Sequence, residues 1–403
     1  MSSETPHAVV VGAGIGGLTA AAALHRSGWS VTVLERAAAG EPAGAGIALA
    51  PNAQRALDTL GVGDRVRAMA AFQGPGSLRR PSGRRLTTTT GEEAAARFGG
   101  PVVVAHRADV VDLLAGLLPR GALYTGVPVT SVDPGDARRR ASVTTAQGEL
   151  RADLVVAADG IGSTVRSALF PGRPGPRPTG LTSWRAVVSV PGLPLEAHET
   201  WGRGLLWGTV PLLDGRVYCY ATARAAPGGR ATDERAELRR LFGSWHHPVP
   251  ALIEAMPAGG VLRTDIRSMP VPLPAHHRGR VALLGDAAHA MTPNLGQGGC
   301  QAVEDAVVLA RLAGPGGDIE AALAVYTAER LPRTTEVVRR SEQIARLTAW
   351  RSRPAVALRD ATVAALGRLA PQLALRSLDG IADWRPPSGP DTTGPLPAHP
   401  PPR

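Results

Sequence analysis

The stretch His-Ala-Val-Val-Val-Gly-Ala-Gly-Ile-Gly-Gly, residues 7–17, places a short apolar run directly before four closely spaced glycines. Residues 15–26 have helical character, and residues 29–34 form a second run rich in β-branched side chains. Strand, glycine-rich turn, helix and strand in this order form the βαβ unit that binds the pyrophosphate of a dinucleotide. The opening of the chain therefore predicts an α/β fold that begins with a Rossmann-like unit.

The glycines and the acid of this unit each have a physical role. Gly12 and Gly14 allow a tight turn and close approach of backbone N–H groups to phosphates, while Gly17 lets the helix pack against its strand. Glu35 ends the second strand 18 residues after Gly17, near the separation of about 20 expected for a ribose-binding acid. Arg36 follows directly. The alternatives are a solvated strand-end carboxylate for Glu35 and a surface arginine for Arg36.

Two further motifs follow apolar strands later in the chain. Asp159-Gly160 comes after residues 154–158, and Gly285-Asp286 comes after residues 281–284. The second is followed by Pro-Asn-Leu-Gly-Gln-Gly-Gly at 293–299, before a long predicted helix. A carboxylate at a strand end can hold a polyol by charge-assisted hydrogen bonds, and these glycines let backbone amides face a ligand. For Asp159 the alternative is an ordinary helix cap.

In this order and with these separations, the three motifs resemble the single-component FAD-dependent aromatic hydroxylases, also called class A flavoprotein monooxygenases. The resemblance points to the branch of salicylate hydroxylase and zeaxanthin epoxidase and covers roughly residues 7–345. It implies an α/β fold in which a Rossmann-like FAD-binding domain carries an inserted mixed β-sheet substrate domain and C-terminal helices. Its motifs are specific for the FAD half of the protein and not for the substrate half.

The Pro/Gly-dense segment at residues 171–176 predicts a crossing between domains. The expected domains, in chain order, are the first part of the FAD-binding domain at 1–175, the β-sheet substrate domain at 176–275, the second part of the FAD-binding domain with a long helix at 276–350, C-terminal helices at 351–385 and a disordered tail at 386–403.

The resemblance also implies the site residues. In the family, the arginine at the Arg107 position reaches the FAD, and the acid at the Asp286 position accepts hydrogen bonds from its ribityl chain. Asp159 helps to hold the pyrophosphate side, and the segment 293–299 runs along the isoalloxazine edge. The expected cofactor-binding residues are Gly12, Gly14, Gly17, Glu35, Arg36, Gly46, Ile47, Arg107, Asp159, Asp286, Pro293, Gly296, Gly298 and Gly299. Gly46 and Ile47 belong to a loop beside the ring that begins at residues 44 and 45.

The substrate is expected between Pro293 and the predicted sheet, with Arg185 and Pro293 nearest the reacting centre. An arginine in a central strand is costly to bury alone, so Arg185 either pairs with a carboxylate or meets the substrate. Tyr218 and Tyr220 share one strand face and Cys219 takes the other. The alternative for the aromatic residues is a structural core. The predicted substrate-lining residues are Trp184, Arg185, Trp207, Tyr218 and Tyr220.

The implied activity is that of an FAD-dependent monooxygenase. NADPH or NADH serves as a transient co-substrate, and O₂ forms the flavin C4a-hydroperoxide that hydroxylates an electron-rich aromatic or heteroaromatic small molecule. Epoxidation is an alternative outcome. A dehydrogenase or oxidase without oxygen insertion and a non-catalytic binding protein are alternatives of other classes. Product mass after reaction under labelled O₂ separates hydroxylation and epoxidation from a dehydrogenase or oxidase. Substrate-independent or absent NAD(P)H consumption indicates the binding protein.

Composition excludes several other functions. The net charge is +10, but all 44 basic residues are arginines and they are dispersed, so no nucleic-acid partner is expected. Without lysine there is no Schiff-base or Walker-type chemistry. Two cysteines give neither a disulfide framework nor a metal site. No apolar run approaches the roughly 20 residues of a membrane span, and residues 1–6 lack signal-peptide character, so we expect a cytoplasmic protein. A monomer or a homodimer is expected.

Two residues of the late motif need separate interpretation. Cys300 stands where the family commonly has asparagine, and we interpret it as a small packing residue because flavin chemistry needs no nucleophile. His289 is interpreted as a structural part of the motif and not as an acid or base.

Overall fold

The computed structural model describes residues 5–38, 46–69, 76–257, 259–369 and 376–387 of the 403-residue chain. The predicted disordered tail, 386–403, lies outside the described residues except for its first two positions, as do residues 44 and 45 of the predicted flavin-side loop.

The strands, in chain order, are β1 (His7–Val11), β2 (Ser30–Glu35), β3 (Gly46–Leu49), β4 (Gly76–Arg79), β5 (Arg85–Thr89), β6 (Val103–His106), β7 (Leu123–Thr125), β8 (Val129–Asp133), β9 (Ala141–Thr145), β10 (Gly148–Ala152), β11 (Leu154–Ala157), β12 (Arg177–Ser189), β13 (His198–Trp201), β14 (Leu205–Pro211), β15 (Arg216–Arg224), β16 (Leu262–Ser268), β17 (His277–Arg278) and β18 (Val281–Leu283). The helices are α1 (Ile15–Arg26), α2 (Pro51–Asp58), α3 (Gly63–Ala68), α4 (Gly91–Phe98), α5 (Arg107–Ala115), α6 (Thr164–Leu169), α7 (Glu234–Phe242), α8 (Val249–Glu254), α9 (Asp286–His289), α10 (Gly298–Leu312), α11 (Ile319–Thr348) and α12 (Arg353–Leu369).

A six-stranded sheet with the order β17-β18-β11-β1-β2-β7 forms the centre of the first layer. All of its pairings are parallel except that of the edge strand β17 with β18. Its strands are near-continuous runs of Val, Ala and Leu, as expected for a parallel sheet that is covered on both faces. Helices α1 and α10 pack together against it. The predicted α/β class with a Rossmann-like domain is confirmed.

A seven-stranded mixed sheet with the order β16-β12-β15-β14-β13-β4-β5 forms the second layer. All pairings are antiparallel except that of β13 with β4. Helices α7 and α8 cover one face, and their apolar residues make a core with the inward side chains of β12, β14 and β15. Strands β4 and β5 come from residues 76–89, so the predicted substrate domain at 176–275 omits two strands of its own sheet.

The C-terminal part matches the predicted helical character. Helix α11 at residues 319–348 is the long helix predicted within 276–350, and the Asp318 carboxylate accepts a hydrogen bond from the Ala321 N–H at 3.1 Å to cap it. Helix α12 then packs beside β5. Among the described helices, none combines the length and apolar character needed to cross a membrane.

Two buried histidines give the fold a predictable response to acid. Burial lowers the pKa of His198 to about 4 and that of His276 to about 3. An unfolded histidine has a pKa of about 6.5, so below that pH the unfolded chain binds protons that the folded chain excludes. Stability should therefore fall as the pH drops from 6.5, by about 2 kcal/mol per histidine at pH 5.

The measurement is the urea midpoint at pH 7.5 and at pH 5.0. The His198→Asn variant should lose a clear part of the acid sensitivity, because its unfolded state no longer gains that proton. An identical difference between the two pH values in wild type and variant would contradict the assignment.

Candidate active site

A cavity of about 810 Å³ lies between the carboxyl ends of the parallel strands and the uncovered face of the mixed sheet. Ligands of open α/β sheets bind at that end of the strands. The turns that follow β1, β2, β11 and β18 all open on the cavity, as do residues 293–299. This volume is in the upper part of the range for small-molecule and cofactor sites.

The glycine-rich turn has the geometry that a phosphate cradle requires. Gly12 has φ +103°, and a Cβ there would lie 2.4 Å from the carbonyl oxygen of Ala158. A Cβ on Gly17 would lie 2.0 Å from the Gly12 carbonyl oxygen. Gly14 instead opens on the cavity, where the nearest atom to an added Cβ is Arg107 Nη2 at 3.9 Å. The first and last glycines serve backbone packing, and the middle one leaves space for a ligand at the N-terminus of α1.

Glu35 links this turn to the end of β2. Its carboxylate accepts hydrogen bonds from the N–H groups of Ala13 at 2.7 Å and Ala37 at 2.8 Å. Glu35 and the exposed Arg36 both line the cavity. The acid is therefore held at the rim beside the first turn of α1.

Asp159 precedes helix α6, whose N-cap is Ser163, and it lines the cavity. Its carboxylate accepts hydrogen bonds from the Ser163 hydroxyl at 2.6 Å and from the Val165 N–H at 3.1 Å. The carboxylate therefore supports the first turn of α6 from a position before its cap residue, and a cofactor contact needs the remaining lone pairs of the same carboxylate.

Arg166 is a site residue to which the sequence analysis gave no role. The buried guanidinium donates hydrogen bonds to the carbonyl oxygens of Ile161 at 2.9 Å and Ala287 at 3.2 Å. It therefore ties the Asp159 turn to the Asp286 turn. The sequence gives one local signal of this role: Arg166 lies in the first turn of α6, shortly after the strand-end acid Asp159.

Asp286 begins helix α9 directly after Gly285, which has φ +58°. Its carboxyl group lies deep in the protein, where burial raises its pKa, yet the side chain is exposed to the cavity. In the described part of the chain no hydrogen bond reaches this carboxylate. A polyol that fills the cavity would supply the missing donors, so this residue fits the predicted ribityl contact.

Residues 293–299 form a wall of the cavity. A short 3₁₀ turn at Pro293–Leu295 leads to Gly296 at φ +63°, and helix α10 then begins at Gly298. A Cβ on Gly299 would lie 2.8 Å from Ile47 Cδ1, so the loop packs closely on β3. The N-terminus of α10 points its positive dipole end at this part of the cavity.

All fourteen predicted cofactor-binding residues line this one cavity, together with Arg185, Tyr218 and Tyr220. The glycine cradle, the exposed acid at the strand end and the amide-rich helix N-terminus fit a group with a pyrophosphate, a polyol and a flat polar ring. The residues therefore fit FAD. Among the described residues, no cluster of His, Cys, Asp and Glu could hold a metal ion.

Cys300 is buried beneath the loop. Its thiol lies 3.4 Å from the Gly296 carbonyl oxygen, and the Ala50 N–H donates to the sulfur at 3.4 Å. Burial raises the pKa of the thiol to about 12, so the thiolate is disfavoured. These contacts agree with a packing role.

Trp184 and Trp207 correct the predicted substrate wall. Both are buried on the helix-covered face, where Trp184 Nε1 donates to Glu234 at 2.7 Å and the Trp207 ring lies 5.5 Å from that of Phe242. Successive strand residues point to opposite faces, so Trp184 cannot line the cavity when Arg185 does. The predicted placement of both tryptophans is wrong.

Arg185 and Tyr218 lie on the cavity face. The Arg185 Nη2 donates to the Thr264 hydroxyl at 3.2 Å, and in the described part of the chain no carboxylate lies within ion-pair range of it. This favours contact with a ligand over an internal ion pair. The Tyr218 ring packs on Gly46, where an added Cβ would lie 2.5 Å from its Cδ1.

A buried ionic network supports the cavity floor. His289 Nε2 lies 2.6 Å from Asp305 Oδ2, which also accepts the Gly285 N–H at 3.0 Å. Arg330 bridges Asp305 at 2.7 Å and Glu304 at 2.6 Å. His289 thus serves the turn that presents Asp286, in agreement with its structural interpretation.

A Rossmann-like sheet, a mixed sheet above it and a shared FAD-compatible cavity define the class of flavin-dependent monooxygenases. The FAD binding domain family matches residues 5–341, and the chain belongs to this family.

The chain resembles known members over most of its length. It is 41% identical over 346 residues to the aurachin C monooxygenase/isomerase of Stigmatella aurantiaca, covering 85% of this chain and 89% of that protein. It is 36% identical over 344 residues to an FAD-dependent urate hydroxylase of Klebsiella pneumoniae, covering 82% and 87%. The structure of Klebsiella pneumoniae HpxO complexed with FAD and uric acid superimposes with a TM-score of 0.84 at 30% identity, covering 94% of this chain and 96% of that one.

Proposed function

We propose that the protein uses NADPH or NADH and O₂ to hydroxylate an electron-rich aromatic or heteroaromatic small molecule with bound FAD. The observation that carries this proposal is the single cavity in which the FAD-compatible turns face the polar and aromatic side of the mixed sheet. Relatives that are named for activity on urate and on 6-hydroxynicotinate support a heteroaromatic substrate class.

The proposed FAD contacts follow from the cavity lining. The α1 N-terminus at Gly14 would hold the pyrophosphate, Glu35 and Arg36 the adenosine end, and Asp286 the ribityl chain. Amides at Gly298 and Gly299 would face the flavin ring. The chemistry that FAD supplies in such a site is two-electron transfer from NAD(P)H followed by activation of O₂.

The chain's own contribution is binding, orientation and exclusion of water. The loop at Pro293 and the face with Tyr218 enclose the reacting space from two sides. Tyr218 lines the cavity, and burial raises the pKa of its phenol to about 12, so it would serve the site as a neutral aromatic wall. No covalent catalyst is required of the protein.

The test of the proposed function has two stages. Purified protein should be yellow and should release intact FAD on denaturation. A panel of aromatic and heteroaromatic compounds should then stimulate NAD(P)H oxidation, and the product formed under ¹⁸O₂ should gain one labelled oxygen. Oxidised product without label indicates a dehydrogenase or oxidase, and a labelled epoxide indicates epoxidation. Absence of both turnover and label would refute an oxygen-inserting enzyme.

Replacement of Arg185 by methionine tests the substrate end. Loss of hydrogen bonds from a charged donor costs about 1.5–3 kcal/mol, so the apparent KM for the stimulating compound should rise roughly tenfold or more. FAD content should stay unchanged, because Arg185 lies on the mixed sheet, across the cavity from the proposed cofactor turns. An unchanged KM would remove Arg185 from the substrate site.

A further inference from the structure

Glu199 is an acidic residue on the cavity face that the sequence analysis did not single out. It lies on β13 and lines the cavity together with Tyr220. The Tyr220 hydroxyl donates to Glu199 Oε1 at 2.9 Å, and the Trp201 indole donates to Oε2 at 2.5 Å. Within the described ranges no basic side chain forms an ion pair with it. The carboxyl group is therefore held by neutral donors alone.

The Glu199–Tyr220 pair is part of one row across the mixed sheet. Arg185 on β12 is the cross-strand partner of Tyr220 on β15. Tyr220 is in turn the partner of Gly208 on β14, and Gly208 is the partner of Glu199 on β13. Cross-strand partners present their side chains on the same face. A Cβ on Gly208 would lie 2.0 Å from Tyr220 Cζ, so the phenol ring lies directly over β14. The glycine lets the ring reach across that strand to Glu199.

The carboxyl group retains unused hydrogen-bonding capacity towards the cavity. A carboxylate offers about four acceptor sites, and the two neutral donors occupy one each. Burial raises the pKa of Glu199, which shows that its surroundings do not fully compensate the negative charge. A ligand N–H or O–H would improve that compensation, whereas an anionic ligand group would be repelled and an apolar one would leave the acceptors unpaired.

We propose that Glu199, oriented by Tyr220, is the acceptor that recognises the substrate, and that the substrate is an uncharged planar heteroaromatic molecule donating a ring N–H or hydroxyl hydrogen to it. This inference rests on the proposed function for the identity of the occupant as a substrate. Arg185 lies at the other end of the row, three strand spacings or ~14 Å away across the sheet, and offers donors to a carbonyl oxygen. Tyr218 supplies a flat wall between the two ends.

The experiment uses the FAD-loaded enzyme and matched ligand pairs that differ only at the ring nitrogen. The probes are 2-quinolone, 4-quinolone and indole with their N-methyl analogues, titrated against the flavin absorbance spectrum. In at least one pair the N–H parent should bind tenfold tighter than its analogue. Glu199→Met should raise the Kd of that parent at least tenfold and leave the analogue within twofold. Glu199→Gln, which keeps an acceptor oxygen, should hold the parent within threefold of wild type.

Three results would overturn the inference: equal binding of parent and analogue in every pair, equal weakening of both by Glu199→Met, or no binding by any probe. FAD content is measured first. If Glu199→Met does not retain FAD, the Tyr220→Phe variant is used in its place. The Kd of the N–H parent should then rise at least threefold, while that of the N-methyl analogue stays unchanged. An unchanged Kd of the parent would refute a role of the Glu199–Tyr220 pair in recognition. Because the titration needs no turnover, these outcomes are independent of the ¹⁸O₂ result, which alone decides the proposed function.

Discussion

Asp286→Ala is expected to weaken FAD binding by roughly 10- to 100-fold. The carboxylate is exposed to the cavity and receives no hydrogen bond in the described part of the chain, so its donors must come from the ligand. A hydrogen bond to a charged group contributes about 1.5–3 kcal/mol, and each 1.4 kcal/mol is a factor of ten in affinity. The measurement is FAD titration of the apoprotein, followed by flavin fluorescence.

The matched control is Cys300→Ser, in the same motif but with its side chain packed beneath the loop. It should change FAD affinity by less than threefold, because the hydrogen-bond partners of the sulfur among the described residues are backbone atoms at 3.4–3.5 Å. The apoprotein of Asp286→Ala should unfold at the same or a higher temperature than wild type, because burial of this carboxylate is unfavourable. Equal loss of FAD in the two variants would remove Asp286 from the ribityl contact.

The cofactor half of the protein could be predicted because its signals are local. Gly12 has the positive φ of a tight turn, a Cβ on Gly17 would clash with the carbonyl oxygen of Gly12 five residues earlier, and Asp286 follows directly from the end of a buried strand. Such features depend on neighbours a few residues away in the sequence. The start of the long helix at 319–348 is marked equally locally, since Asp318 caps it by accepting the Ala321 N–H.

The substrate half could be predicted only in part because its geometry depends on distant strands. Strands β4 and β5 join β13 from more than a hundred residues away, which no local pattern indicates. The role proposed for Glu199 depends on its hydrogen bond from Tyr220, and the strands of these two residues are not adjacent in the sheet. The error on Trp184 was avoidable, since the two-residue period already separates it from Arg185. The strand face of Trp207 could be assigned only from the sheet register, which pairs Trp207 with Ala221 and not with Tyr220.

Arg330→Met is expected to lower the free energy of unfolding by about 3–5 kcal/mol, because removing one partner of a buried ion pair leaves uncompensated charge. The Arg330 side chain is 1% exposed, and those of Glu304 and Asp305 are fully buried. Glu304 keeps a second arginine, Arg333, at 2.7 Å, whereas Asp305 keeps the imidazole of His289 and the Gly285 N–H, so the larger cost falls on Asp305. The measurement is urea unfolding followed by tryptophan fluorescence at saturating FAD.

Adding Asp305→Asn to Arg330→Met should restore part of the lost stability, since it removes the charge of the carboxylate whose Oδ1 loses its arginine partner. Arg339→Met provides the control on the same helix: its pair with Glu336 lies on the surface, and the urea midpoint should not change measurably. Arg330→Met should also weaken FAD binding, because Asp305 holds the Gly285 N–H at the turn that presents Asp286. If the second substitution instead lowers stability further, Asp305 is not the source of the cost, and the network does not act through charge compensation.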